Sequence, residues 1–344
     1  MVFGAGMVVL AARALREGTL VLAVRRYYVR SLLLVLVGLV HVFWLGWFAD
    51  FVHIYGLVAI IAFPLSRLRA PWLLAIGSLY AVALVIGGVS SIGAHVPVRP
   101  SMVARGLHGV PQSALAAIAV ENQERTATPT RWSAALFEVY ASHFGWGWVR
   151  YGLCEAGATM LIGAGLFKSR VLQGDRSRGF YRRMAAAGYL VGLAIRIPGA
   201  WHVANPMTTT PLIEALGEVG RLSMALGHVA ALTLLLDSPR WRVWLAPLSA
   251  VGRMSLSVYL CQTLLCLWLV FSPIGLGLYG RMGWTGLMAT AALVDIVLVV
   301  AANRYLRYWR IGPVEWIWRS LATSRALPLR VNAPRVSANT ATGG

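Results

Sequence analysis

Long apolar runs separated by short, arginine-bearing joints set the pattern of this chain. Ser31 to Ala49, Ala70 to Val98 and Met254 to Gly280 contain no Asp, Glu, Lys or Arg, and each approaches or exceeds the roughly 20 residues that cross a bilayer as helix. Shorter or interrupted runs follow the same rule at Phe51 to Ser66, Gly152 to Phe167, Met184 to Ala204, Leu212 to Leu236 and Trp284 to Asn303. Backbone groups in lipid must be satisfied within the segment, so such runs predict helices. The reading is an all-α, polytopic transmembrane helical bundle of about eight spans.

The joints add detail. The first two spans meet at Asp50 with almost no loop and predict a tight helical hairpin. Residues 91–148 form a long segment broken by Pro97, Pro100, Pro111 and Pro129, with two short helices expected near Gln112 to Arg125 and Thr130 to His143. Its aromatic end, Phe144-Gly145-Trp146-Gly147-Trp148, suits a headgroup layer. Gly312 to Arg319 reads as an amphipathic interfacial helix, with Trp316 and Trp318 in the interface and Arg319 toward water. Beyond Leu321 the composition cannot bury a core. Residues 1–321 therefore read as one membrane domain, and 322–344 as a disordered cytoplasmic tail.

Composition agrees: 58% of residues are hydrophobic and 12% charged, with a mean hydropathy of +0.68. The formal charge of +19 does not mark a nucleic-acid binder, because the basic residues flank apolar segments instead of covering a soluble face. Arg13 to Arg30, Arg67 and Arg69, Lys168 to Arg183, Arg240 and Arg242, and everything after Arg304 alternate onto one side. The positive-inside rule makes that side cytoplasmic. A multi-pass protein of the cytoplasmic membrane with both termini inside is expected, and residues 91–148 are then extracytoplasmic. Cys154, Cys261 and Cys266 all fall in predicted spans without metal spacing, so neither a disulfide framework nor a metal site is expected. The absence of an internal repeat weakens a transporter reading.

Several polar residues interrupt the apolar runs. His41 lies inside the first span, where an imidazole is costly unless it faces a partner or water. It either acts as a base near neutral pH or makes a packing hydrogen bond beside Gly38. Asp50 and His53, three residues apart, share a face if the turn is helical. Asp50 then either orients a histidine tautomer or caps the second helix. Ser255, Tyr259, Gln262 and Cys266 superpose within about 40° at about 100° per residue, which predicts one polar seam. Arg253 points roughly opposite, nearer the cytoplasmic end, either snorkelling or receiving an anionic group. Glu155, Arg196, Glu214, Glu218, Arg221, His228 and Asp295 complete the intramembrane ionisable set, with Glu214, Glu218 and Arg221 on one face.

Two phrases identify a relationship. Gly252-Arg253-Met254-Ser255-Leu256-Ser257-Val258-Tyr259-Leu260-Cys261-Gln262-Thr263 and Gly312-Pro313-Val314-Glu315-Trp316-Ile317-Trp318-Arg319 resemble the C-terminal signature of the YeiB-like family of bacterial membrane proteins, domain of unknown function 418. Arg25 and Arg26, Gly38-Leu39-Val40-His41, Asp50, Tyr55-Gly56 and Phe3-Gly4-Ala5-Gly6 extend the resemblance over nearly the whole chain. Val258 stands where the family usually has asparagine. The family usually begins with a further helix carrying an Asp-x-Leu-Arg-Gly type motif, and this chain is expected to start after it.

At superfamily level the resemblance reaches membrane-bound acyltransferases that modify extracytoplasmic sugars. It implies His41 as the base and Asp50 as its orienter. Arg253, Ser255, Tyr259 and Gln262 would hold the acyl donor or stabilise the oxyanion. Acyl-CoA is implied as co-substrate, with no firmly bound cofactor. The expected partners are the lipid bilayer and a small-molecule or glycan acceptor, with no nucleic acid. A transporter or permease for a small polar or lipid-linked molecule is the alternative, and a membrane assembly protein the third possibility.

Overall fold

The computed structural model describes residues 1–16, 20–90, 112–143, 146–204 and 215–330. Helices α1 (Val2–Arg16), α2 (Leu20–Phe43) and α3 (Val52–Ala62) come first, the last running into a 3-10 segment, Phe63–Arg67. Then come α4 (Ala70–Ser90), α5 (Gln112–Thr126), α6 (Pro129–His143), α7 (Trp146–Lys168), α8 (Arg178–Ala204) and α9 (Gly217–Leu236). The last group is α10 (Pro239–Arg253), α11 (Ser255–Thr263), a π-helical continuation Leu264–Phe271, α12 (Trp284–Tyr308) and α13 (Pro313–Thr323). One isolated bridge, Trp309 to Arg330, is the β pairing among the described residues. The chain is an all-α membrane bundle, as its periodicity predicts.

Each predicted apolar run coincides with a helix, but the runs are not equivalent. Among the described residues five helices, α2, α4, α8, α9 and α12, are long and apolar enough to cross a membrane, and a sixth span results if α10 and α11, bent by 80°, count as one. This is fewer than the eight expected. Val52–Arg67 is a shorter apolar helix. In α7, ten consecutive residues from Ala156 to Gly165 are buried, so its apolarity faces protein.

The core sits around α7. Met7 and Val8 of α1, Ile54, Val58 and Ala59 of α3, Leu73 of α4 and Met160 and Ala164 of α7 form its main cluster. Tyr27 of α2 joins by stacking on Phe63 at 4.1 Å and donating to the Ala59 carbonyl at 3.1 Å. Lipid is as apolar as leucine, so contacts between such helices depend on close packing more than on escape from water. Outward, Leu32, Leu36 and Val40 make one exposed stripe on α2, and Leu293, Ile296, Val297 and Val300 another on α12. Apolar stripes of that kind suit a bilayer.

The C-terminal region departs from expectation. Trp318 of α13 docks on α2, its Nε1 donating to the Arg30 carbonyl at 2.9 Å with the Arg30 guanidinium 4.4 Å over its ring. Trp316 donates to the Leu327 carbonyl at 2.7 Å, and Arg319 is half-buried with its Nε enclosed instead of facing water. Residues 322–330, read as the start of a disordered tail, instead complete α13 and return past Trp309, with the Arg310 amide donating to Leu329 at 2.9 Å. Residues 331–344 lie outside the described residues.

Candidate functional site

The site is built on the α2–α3 hairpin. His41 occupies the last turn of α2, and the chain turns through Trp44 to Asp50 before α3 begins. Gly38, one turn before His41, allows the crossing: a Cβ there would collide with the His53 amide nitrogen and with Asp50 Oδ2. Gly56 does the same one turn along α3, facing the Val35 amide and the Ser31 carbonyl. With the two backbones this close, three polar side chains enclosed by apolar helices have to satisfy one another.

They do so through Asp50. Its Oδ1 lies 2.8 Å from His41 Nδ1 and accepts from the Tyr259 hydroxyl at 3.0 Å. Its Oδ2 lies 2.8 Å from His53 Nδ1 and accepts the His53 amide at 3.1 Å. An ionised carboxylate offers about four lone-pair sites and no donor, and four groups occupy them. Both imidazoles facing it therefore carry their proton on Nδ1, which leaves each Nε2 as the outward atom. Asp50 and His41 are completely buried, and His53 nearly so. Burial pushes the Asp50 carboxyl up, but the hydrogen bonds from His41 and then His53 outweigh it and hold the group down at about 2.

The opposite wall is α11. Tyr259 and Thr263, one helical turn apart, both face the hairpin, and Thr263 Oγ1 is 2.8 Å from His41 Nε2. The Tyr259 ring meets the His41 ring edge-on at 4.6 Å. His41, Asp50 and Tyr259 are thus brought together. The other proposed seam residues are not in this cluster: Ser255 and Gln262 are exposed and Cys266 is half-buried. Within α11 the hairpin meets the side that carries Tyr259 and Thr263, the latter about 100° round the helix from Gln262. The wider π-helical turn that follows does not advance by the 100° per residue assumed for a regular helix. Arg253 stays on the far side of the 80° break, exposed, donating to the Arg310 carbonyl at 2.8 Å.

That break has its own support. The chain turns at Met254, leaving the first amides of α11 without helical acceptors. Glu315 of α13, buried, supplies one: its Oε1 accepts from Leu256 at 2.6 Å and Ser257 at 3.1 Å, and its Oε2 from the Ser257 hydroxyl at 2.5 Å. Ser257 Oγ in turn accepts the Val314 amide at 3.1 Å. The two signature phrases are one structural unit, in which the second caps the helix that carries the first.

Remaining charges lie elsewhere. Arg221 makes a bidentate pair with Glu218 and a 3.3 Å pair with Glu155, and donates to Thr159 at 2.9 Å. His228 contacts the Met224 carbonyl at 2.6 Å, and His228, Asp295 and Arg196 are exposed. Glu214 lies outside the described residues. Among the described residues no cluster is arranged to hold a metal ion.

Two cavities are relevant. One of about 240 Å³ is lined by Phe3, Met7, Arg30, Leu34, Ser255 and Trp318, among others. A second of about 190 Å³ lies among Val42, Trp44, Leu136 and Trp268. Neither lining includes Asp50, His41, His53, Tyr259 or Thr263. Of its members, sequence reasoning missed Thr263 and weighed His53 without retaining it. Thr263 was signalled only by its spacing of four from Tyr259.

Fold and site together define a polytopic helical membrane protein with a buried carboxylate flanked by two imidazoles. Residues 166–325 match the family described as protein of unknown function (DUF418). The chain is 26% identical over 327 residues to the protein YxaH of Bacillus subtilis (strain 168), covering 92% of this chain and 76% of that one. It is 28% identical over 364 aligned positions to YeiB of Escherichia coli (strain K12), covering 95% of this chain and 81% of that one. The likeness to the DUF418 family thus covers residues 166–325, and the similarity to YeiB extends over nearly the whole chain. No solved structure matches.

Proposed function

We propose that the protein transfers an acyl group from a cytoplasmic thioester donor to a hydroxyl or amine acceptor on the other side of the membrane. The observation that carries this reading is Asp50, buried and ionised, with two imidazoles held on its two oxygens. A carboxylate that fixes a histidine tautomer and balances an imidazolium is what general-base attack on a thioester needs. Arg30 and Ser255, in the larger cavity, offer a cation and a hydroxyl for a donor's phosphate. Arg30 precedes His41 by eleven residues on one continuous helix, about 16 Å along its axis. The extracytoplasmic acceptor and cytoplasmic termini belong to this reading, following the charge bias of the joints.

Inverted membrane vesicles that overproduce the full chain, given radiolabelled acetyl-CoA or longer acyl-CoA, should move label into a membrane or lumenal product. Vesicles carrying Asp50→Asn should not. Equal labelling in both would overturn the reading.

A second reading, transport of a small polar or lipid-linked molecule, is favoured by the 80° break between α10 and α11, since broken helices recur at transporter sites. It predicts solute flux without thioester consumption.

A further inference from the structure

The two histidines on Asp50 are chemically unequal. Each gives its Nδ1 to one carboxylate oxygen at 2.8 Å. His41 Nε2 is then occupied by the Thr263 hydroxyl at 2.8 Å. His53 Nε2 is buried, on a side chain only 4% exposed, and has no hydrogen-bond partner among the described residues. A buried polar atom left unmatched carries its desolvation cost uncompensated, and such an atom in a folded protein calls for an explanation. Neither the caps nor the helix packing provides one here.

Resting on the acyl-transfer reading, we propose that His53 is the catalytic base, acting through Nε2, and that His41 is a positioning residue locked between Asp50 and Thr263. The geometry distributes the roles. With its Nδ1 proton directed at Asp50, the His53 lone pair on Nε2 points away from the carboxylate. The His53 backbone is fixed as well, because its amide donates to the same Oδ2. Ring and main chain are thus anchored at one oxygen, which fixes the orientation of the reactive nitrogen. His41 holds Oδ1 in place, and Thr263 keeps His41 from rotating. As the acceptor oxygen or nitrogen attacks the thioester carbonyl, its proton passes to His53 Nε2 and the new C–O or C–N bond forms. The C–S bond then breaks, and the imidazolium returns the proton to the departing thiolate. Asp50 balances the imidazolium charge throughout.

The test uses the full chain in inverted vesicles with radiolabelled acetyl-CoA. His53→Asn is the informative variant, because its amide nitrogen overlays Nδ1, keeps the bond to Asp50 and removes only the distal nitrogen. His41→Asn makes the same change on the other side. Expected is a fall of about 10³-fold for His53→Asn, within the range for losing a general base, and of about tenfold for His41→Asn and Thr263→Val. Free imidazole should restore part of the rate to His53→Ala and none to His41→Ala. Thermal unfolding in detergent confirms that each variant is folded. Transfer by His53→Asn within tenfold of the parent chain, or imidazole rescue of His41→Ala alone, would overturn the assignment and return the base to His41. No transfer by the parent chain would remove the acyl-transfer reading, and this assignment with it.

Discussion

Thr263 Oγ1 and His41 Nε2 stand 2.8 Å apart although 222 residues separate them in the chain. The hydroxyl is the group that closes the site, because it takes the last open position on the imidazole held by Asp50. Thr263→Val keeps the shape and deletes the hydroxyl. It should lower stability by about 1–2 kcal/mol, as one buried nitrogen loses its partner. Thr263→Ser should stay near the parent, and unfolding of the purified chain in detergent measures both.

Asp50→Asn should do more. An amide cannot accept from both imidazoles while keeping an oxygen for Tyr259 and the His53 amide, so at least one donor is left unmatched. Destabilisation of about 3 kcal/mol is expected, the scale on which buried ionic clusters respond to loss of one member. Denaturant titration of the variant against the parent checks this.

The Asp50 carboxyl is held at about 2 in the folded chain, below its ordinary 3.8. Its contribution to stability is therefore fully present above about 3.8 and disappears as pH falls through about 2. Between those limits the parent chain should lose stability faster than Asp50→Asn, which lacks the group. Midpoints of unfolding measured from about pH 5 downward should converge for the two proteins.

Gly38→Ala should be severe and Gly252→Ala mild. A Cβ on Gly38 strikes the His53 amide and Asp50, whereas nothing lies within 4 Å of one on Gly252. The first should cost about 2 kcal/mol or more by forcing α2 and α3 apart. The second should be neutral or gain up to about 1 kcal/mol in helix propensity. Unfolding of both variants under one set of detergent conditions distinguishes them.

Much of this architecture is legible in the amino-acid pattern. The charge-free runs mark the helices, and Asp50 with its near-absent loop marks the hairpin, because lipid leaves the backbone few alternatives. The meeting of His41 with Asp50 was also accessible, since both lie at one end of that hairpin. The face of α11 was not. Ser255, Tyr259 and Gln262 lie in one regular helix, so the pattern leaves open which side of Tyr259 meets the hairpin, and the π-helix after Thr263 takes only Cys266 out of register. Nor does local spacing reveal Glu315 on α11, a contact across 58 and 59 residues that depends on how α13 docks. The unequal histidines follow from a third element, Thr263, whose orientation only the packed helix fixes.

Glu315→Ala should expose that dependence. Losing the carboxylate frees the amides of Leu256 and Ser257 and the Ser257 hydroxyl, a cost of about 1–3 kcal/mol. Hydrogen exchange at those two amides should accelerate well before exchange rises elsewhere in α11.

The same carboxylate gives the protein an order of completion. Every residue of the Asp50 cluster has been synthesised once Thr263 is made, yet the first turn of the helix carrying Tyr259 and Thr263 waits for a group about fifty residues further on. A nascent chain that stops before Pro313 would contain the entire cluster and still present it on an unsupported helix. Loss of α13 would therefore act on the centre through the helix that carries Tyr259 and Thr263.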